Sequence, residues 1–287
     1  MELSFKRSLA KWLDRRGGRL ILANVAMLYV RWQIKENIQI QYKNIWFHKA
    51  GKYYFYHGKV FNYNSYCLRQ ISKYEQVCRS NALDYWFWFY SPNVGDTIID
   101  IGAGRGEDTI VFSEAVGNSG MVIAIEAHPI SFEHLFNTCQ LNRLKNVTPL
   151  NIAVTSESRL VSMTELESWE SNSICSDERS KETGMSIRAD ALDAIICNMN
   201  IKTISFLKMN IEGAETSALL GMEETIKICK IICVACHDFR YNRGDGNHFR
   251  TRAFVEKFLK GRGFRTVTRE SDSRDYVRDH VFAVKEC

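Results

Sequence analysis

From Thr97 onward, short apolar runs alternate with stretches of helical periodicity, the order that builds a parallel sheet covered on both faces. Thr97 to Ile101 reads as the first strand. A glycine-rich turn follows, then a helix from Asp108 to Val116 stopped by Gly117, which takes a left-handed cap without steric cost. Met121 to Glu126 is the second strand, and Pro129 falls in the first turn of the next helix, where a missing N–H matters least. Val147 to Val154 supplies a third strand. The segment Thr155 to Arg188, rich in Ser, Glu and Thr, breaks the rhythm and reads as a hairpin or loop insertion. Beyond it, helices over Ala189 to Cys197, Ala214 to Lys227 and Arg250 to Lys260 alternate with strands over Ile204 to Asn210 and Ile231 to Cys236. Phe264 to Thr268 and Tyr276 to Val284 close the chain as a pair of strands.

The first 95 residues differ in kind. Two basic helical stretches precede an aromatic run, Tyr53 to His57, and a second cluster at Tyr85 to Tyr90. The division this implies is a helical and aromatic extension or cap over 1–90 and an α/β domain over 91–287. Such aromatic density packs against a main domain or faces a substrate. Charge sharpens the contrast: the whole chain carries +5, whereas residues 1–35 hold eight Lys and Arg against Glu2 and Asp14. That end can follow a polyanion such as RNA, rest on an anionic membrane surface as a peripheral contact, or stay solvated. The apolar run Leu20 to Val30 is far short of the roughly 20 residues a membrane span needs. Nine cysteines, an odd number scattered through apolar segments, fit a reducing, cytoplasmic compartment. With 45% hydrophobic and 25% charged residues, disordered and disulfide-stapled classes are excluded.

The densest chemistry lies in Asp100-Ile-Gly102-Ala103-Gly104-Arg-Gly106-Glu107, between a strand and a helix. Glycines let the chain turn sharply and let a ligand approach the backbone. A dinucleotide fingerprint places two residues between its second and third glycines; here only Arg105 intervenes. Asp100 and Glu107 frame the turn with negative charge, which suits a cationic ligand better than a pyrophosphate, and S-adenosylmethionine carries a sulfonium and an ammonium. Glu126, ending the second strand, is placed to accept hydrogen bonds from two ribose hydroxyls.

These residues resemble class I S-adenosylmethionine-dependent methyltransferases and, within them, the FkbM family. The resemblance is carried by Ile99 to Gly106, Val122 to Pro129, Asn151 to Val154, Leu192-Asp193 and Phe206 to Glu215. It implies a Rossmann-like, seven-stranded, mostly parallel sheet of order 3-2-1-4-5-7-6 with the last strand antiparallel. The cofactor would lie at the carboxyl ends of the first strands, among Asp100, Gly102, Ala103, Gly104, Gly106, Glu107, Glu126, Ala127, Asn151, Ala153 and Asn210. The implied activity is O-methylation of a hydroxyl on a small molecule, sugar, glycan or polyketide-like acceptor. Asn210 stands where the family commonly has aspartate.

Methyl transfer to oxygen requires alignment and removal of one proton. His237, beyond a strand end, is the candidate base, with Asp238 beside it. Glu212 and Glu215 either orient the substrate or interact favourably with a helix N-terminus, and Lys208 can pair with either of them. A divalent cation on Asn210, His237 and Asp238 is a disfavoured alternative, because hard cations prefer several oxygens. Cys233 and Cys236 point to opposite faces of a strand and cannot share a zinc ion without distortion. The alternatives carried forward are a ribose-directed RNA methyltransferase and a catalytically impaired cofactor-binding protein.

Overall fold

A computed structural model describes residues 10, 12–15, 17–66, 70–163 and 185–286. Lys6, Arg7, Lys11 and Arg16 of the basic end, and residues 164–184 of the expected insertion, lie outside the described residues. The chain divides into two compact units, one of residues 1–81 with 136–143, the other of 82–135 with 144–287.

In the first unit, the helix Arg19–Ile34 buries Leu22, Ala23, Ala26 and Val30 in an apolar cluster with Ile38, Ile40, Trp46, Tyr66 and Ile71. An antiparallel three-stranded sheet follows: β1 (Gln39–Tyr42), β2 (Trp46–Ala50) and β3 (Tyr53–Gly58). The extension is therefore part strand, not only helix. Tyr53 to His57, read above simply as an aromatic run, is rich in residues that pack well on a pleated surface and makes up most of β3.

The second unit contains one seven-stranded sheet. In chain order its strands are β4 (Thr97–Ile101), β5 (Met121–Ile125), β6 (Val147–Leu150), β10 (Ile204–Met209), β11 (Cys229–Ala235), β12 (Phe264–Thr268) and β13 (His280–Lys285). In space they run β6-β5-β4-β10-β11-β13-β12. All neighbours up to β11 are parallel, and β13 is antiparallel to both β11 and β12. Counted within the sheet this is 3-2-1-4-5-7-6, the Rossmann-like order the resemblance implies. Parallel strands covered on both faces need continuous apolar runs, and β10 is buried at all six positions.

Several boundaries shift for identifiable reasons. The third strand is broken: β6 ends at Leu150 and β7 (Ala153–Val154) joins β8 (Arg159–Met163) and β9 (Met185–Asp190) in a small separate sheet. Ala189 and Asp190 pair with β7, so the following helix is only Leu192–Ile196. Gly221 ends the helix Glu215–Leu220, and a Cβ there would stand 2.0 Å from the Thr155 carbonyl oxygen. The last expected strand is preceded by a short helix, Asp275–Arg278. The cluster Tyr85 to Tyr90 falls in the second unit, where Tyr90 stacks on Phe206 with ring centroids 4.7 Å apart.

Candidate active site

The turn after β4 is built on left-handed glycines, Gly102, Gly104 and Gly106, at φ +76°, +58° and +90°. At Gly102 no other residue fits, since a Cβ would lie 1.9 Å from the Asn210 carbonyl oxygen. The amides of Gly102 and Ala103 both donate to the Ile125 carbonyl, at 2.9 and 3.0 Å, which pins the turn to the end of β5. Gly106 leads into the helix Glu107–Val116, with Glu107 in its first turn.

Glu126 follows β5 and faces this turn. One carboxylate oxygen accepts the Gly104 amide and the other the His128 amide, both at 2.8 Å. Burial pushes its pKa up to about 7, against the pull of those two amides. Asn151 braces the same corner from β6's end, its side-chain amide donating to the carbonyls of Glu126 and Ala127 at 2.8 and 3.0 Å.

Asp100 and Lys208 form a buried ion pair under the turn, 2.8 Å apart. Lys208 also donates to the Gly102 carbonyl at 2.7 Å, and Thr109 donates to Asp100 at 2.9 Å. The pairing of Lys208 with Glu212 or Glu215 is thus corrected. The parallel register sets Lys208 directly opposite Asp100, and the side chains meet across the strands. Burial works against the lysine charge, but Asp100 and Asp108 outweigh it and raise its pKa. Asp100 is likewise a support of the turn, since it is fully buried and bonded to Lys208 and Thr109.

The same pocket of charge includes residues the motif did not disclose. Asp108 accepts the Trp86 indole N–H at 2.8 Å, and burial pushes its carboxyl up to about 6. The Lys208 ammonium lies 5.0 Å from the Trp86 ring centroid, and His280 stacks on that ring at 5.1 Å. Burial drives the His280 pKa down to about 3, and positive charge from His237 adds to the shift. Only the aromatic density near Tyr85 signalled Trp86.

A second cluster forms beyond β10 and β11. Glu212 adopts φ +52°, a left-handed conformation uncommon for a side-chain-bearing residue, and Gly213 follows at +95°. A Cβ on Gly213 would come within 2.9 Å of the His248 ring. His237 sits between two carboxylates, with Nε2 3.1 Å from Glu212 and Nδ1 2.9 Å from Glu215. Arg240 holds the other Glu212 oxygen at 2.7 Å and lies over the Phe249 ring.

This geometry corrects the assignment of His237 as a base of near-neutral pKa. Burial alone would lower its pKa, yet the hydrogen bonds to Glu212 and Glu215 carry it up to about 10, so it is an imidazolium at neutral pH. For Glu212, His237 and Arg240 outweigh burial and hold the carboxyl below the usual range. Glu215 is fully buried, bonded to His237 and the Gly213 amide, and out of a substrate's reach. Asp238 accepts the amides of Thr251 and Arg252 at 3.0 and 2.9 Å and so caps the helix Arg252–Lys260 in place of acting beside His237.

One further expectation changes. Ala153 is buried with Val161, Ile187 and Ala189 in the small sheet's core, not turned to a ligand. Among the described residues no group of three or more His, Cys, Asp or Glu is disposed to hold a metal ion, and the weighed set of Asn210, His237 and Asp238 is dispersed into the roles above. Asn210 fixes the turn through its backbone, its amide donating to Ile101 at 2.9 Å. Cys229, Cys233 and Cys236 are buried free thiols whose pKa values burial pushes upward.

The sheet order and the glycine turn at its centre define a Rossmann-like domain of the methyltransferase type. The model of the FkbM methyltransferase domain matches residues 100–266, more than half of the sequence, and the chain belongs to that family. Comparison with curated proteins returns no match. Among solved structures, the chain is similar to the FkbM methyltransferase from Methylobacillus flagellatus KT, at 15% identity and TM-score 0.47, with 77% of this chain covered. It spans about half of that protein, 52%. It is also similar to Aeropyrum pernix fibrillarin, solved with natively bound S-adenosyl-L-methionine, at 13% identity and TM-score 0.43, covering 71% and 73% of the two chains. Methanococcus jannaschii fibrillarin, a pre-rRNA processing protein, gives 14% identity, TM-score 0.44 and coverage of 88% and 99%.

Proposed function

We propose that the protein is an S-adenosylmethionine-dependent O-methyltransferase acting on a hydroxyl of a small molecule, sugar or polyketide-like acceptor. The observation that carries this reading is the Glu212 carboxylate, set at the carboxyl end of β10 in a left-handed conformation, clamped by His237 and Arg240 and still 20% exposed. Left-handed backbone at a non-glycine residue persists where the surroundings over-determine it, as they do at functional sites.

The residues near the glycine turn suit a sulfonium nucleoside. The turn offers a surface without Cβ atoms at Gly102, Gly104 and Gly106, and Glu126 retains acceptor capacity for ribose hydroxyls beyond its two amide partners. Asp100, Asp108 and Glu126 surround the buried ammonium of Lys208, which favours a cationic ligand over a pyrophosphate. When bound, the cofactor supplies an electrophilic methyl group. The chain's own contribution is to orient the acceptor hydroxyl and receive its proton. Glu212 is anionic at neutral pH and half-buried, so it accepts that hydrogen bond, and it takes the proton only as the new carbon–oxygen bond forms and makes that proton strongly acidic. His237 is a positioning residue that acts through Glu212, and Glu215 and Arg240 fix the pair.

The test is calorimetry with S-adenosylmethionine followed by methyl-transfer assays on a panel of hydroxylated acceptors. Glu212→Gln is expected to lower turnover by about a hundredfold or more while leaving cofactor affinity within a factor of about three. Absence of cofactor binding by the unaltered chain overturns the enzyme reading. Full turnover by Glu212→Gln overturns the assignment of the proton acceptor. Activity confined to RNA selects the ribose-directed alternative.

A further inference from the structure

The geometry points to the helix Arg19–Ile34 as a docking surface for an anionic lipid bilayer. Its inner face packs into the first unit through Leu22, Ala23, Ala26 and Val30. At 100° per residue, Ile21, Val25, Leu28 and Trp32 fall within about 60° of one another, on roughly the opposite side. These four are open to solvent at 62%, 51%, 68% and 65%. A helix apolar on both sides, one side already packed, leaves the other to be covered.

Charge decides what covers it. The exposed ionisable residues of the helix and its C-cap, Arg31 and Lys35, are both basic. Asp14, the one acid among residues 10–35, is buried, where it pairs with Arg19 at 3.1 Å and accepts the Trp46 indole N–H. A second copy of the chain would face this surface with the same cations and no exposed acid on the helix to pair with them, so self-association sets like charges together. A nucleic acid offers phosphates to the cations and a base to stack on Trp32, but leaves the aliphatic Ile21, Val25 and Leu28 uncovered. A bilayer with anionic headgroups satisfies both, taking Leu28 and Trp32 at its boundary and Arg31 and Lys35 among its phosphates. The helix does not cross: sixteen residues span about 24 Å, short of the roughly 30 Å hydrocarbon core.

The test is co-sedimentation of the full chain with vesicles of phosphatidylcholine alone and of phosphatidylcholine with phosphatidylserine. Binding is expected only to the serine-containing vesicles, weakening with added salt. The double variant Leu28→Glu, Trp32→Glu is expected to lose binding by about tenfold or more, with unchanged circular dichroism. Equal binding by the double variant, binding indifferent to phosphatidylserine, or no binding by the unaltered chain overturns the proposal. So does a dimer in sedimentation velocity that the same variant dissolves, which would assign the face to a second copy.

Discussion

His237 shows how far a residue's chemistry departs from its type once partners are in place. Alone, a histidine past a strand end is a neutral-pH base; between Glu212 and Glu215 it is a cation with its pKa pushed up to about 10. A group whose folded pKa is raised binds protons more tightly in the native state, so its stabilisation is complete below the unfolded value of about 6.5 and fades as pH rises toward 10. Thermal unfolding between about pH 7.5 and 9 should therefore show falling stability, by at most about 1.4 kcal/mol per pH unit from this group. His237→Gln should flatten that slope, and an equally steep slope in the variant would refute the imidazolium. None of this was legible in the sequence, because Glu212 and Glu215 lie 25 and 22 positions upstream and meet His237 only when β10 and β11 pair. Asp238 was opaque for a similar reason, since the helix that it caps begins fourteen residues later.

Elements were far more legible. Strands β4, β5, β10 and β11 declare themselves as apolar runs, and the glycine spacing after β4 marks the turn. What pattern cannot supply is register. Lys208 and Asp100 are 108 residues apart and become a buried pair only through the parallel alignment of β10 with β4. Removing one partner of such a pair strands the other charge, whereas removing both is mild. Lys208→Met is expected to cost about 3–5 kcal/mol in urea unfolding, and adding Asp100→Asn should recover part of that loss. Additive losses in the double variant would show that the two charges do not interact. The break between β6 and β7 was also hidden, although Pro149, with no N–H to give, sits naturally in an edge strand.

For the whole molecule, sequence indicated a basic, aromatic beginning and an α/β remainder, but not the three-stranded sheet of the first unit. Aromatic residues promote strands and packing alike, and a short aromatic run does not say which. Every residue placed around the glycine turn and the Glu212 cluster belongs to the second unit, residues 82–135 and 144–287. S-adenosylmethionine at a hundred times its dissociation constant should accordingly stabilise that unit by about 2.7 kcal/mol, readable as slowed amide exchange in β4, β5 and β10. Protection confined to residues 17–66 would place the ligand elsewhere.

The antiparallel strand β13 lies between β11 and β12, although it follows both in the chain. During synthesis β12 thus has no neighbour to join until residues 280–285 have emerged, and β11 keeps a bare edge for the same interval. Such edges recruit strands from other chains. A chain cut short of His280 is expected to aggregate more readily than the full chain, because its unfinished sheet leaves both β11 and β12 without a partner.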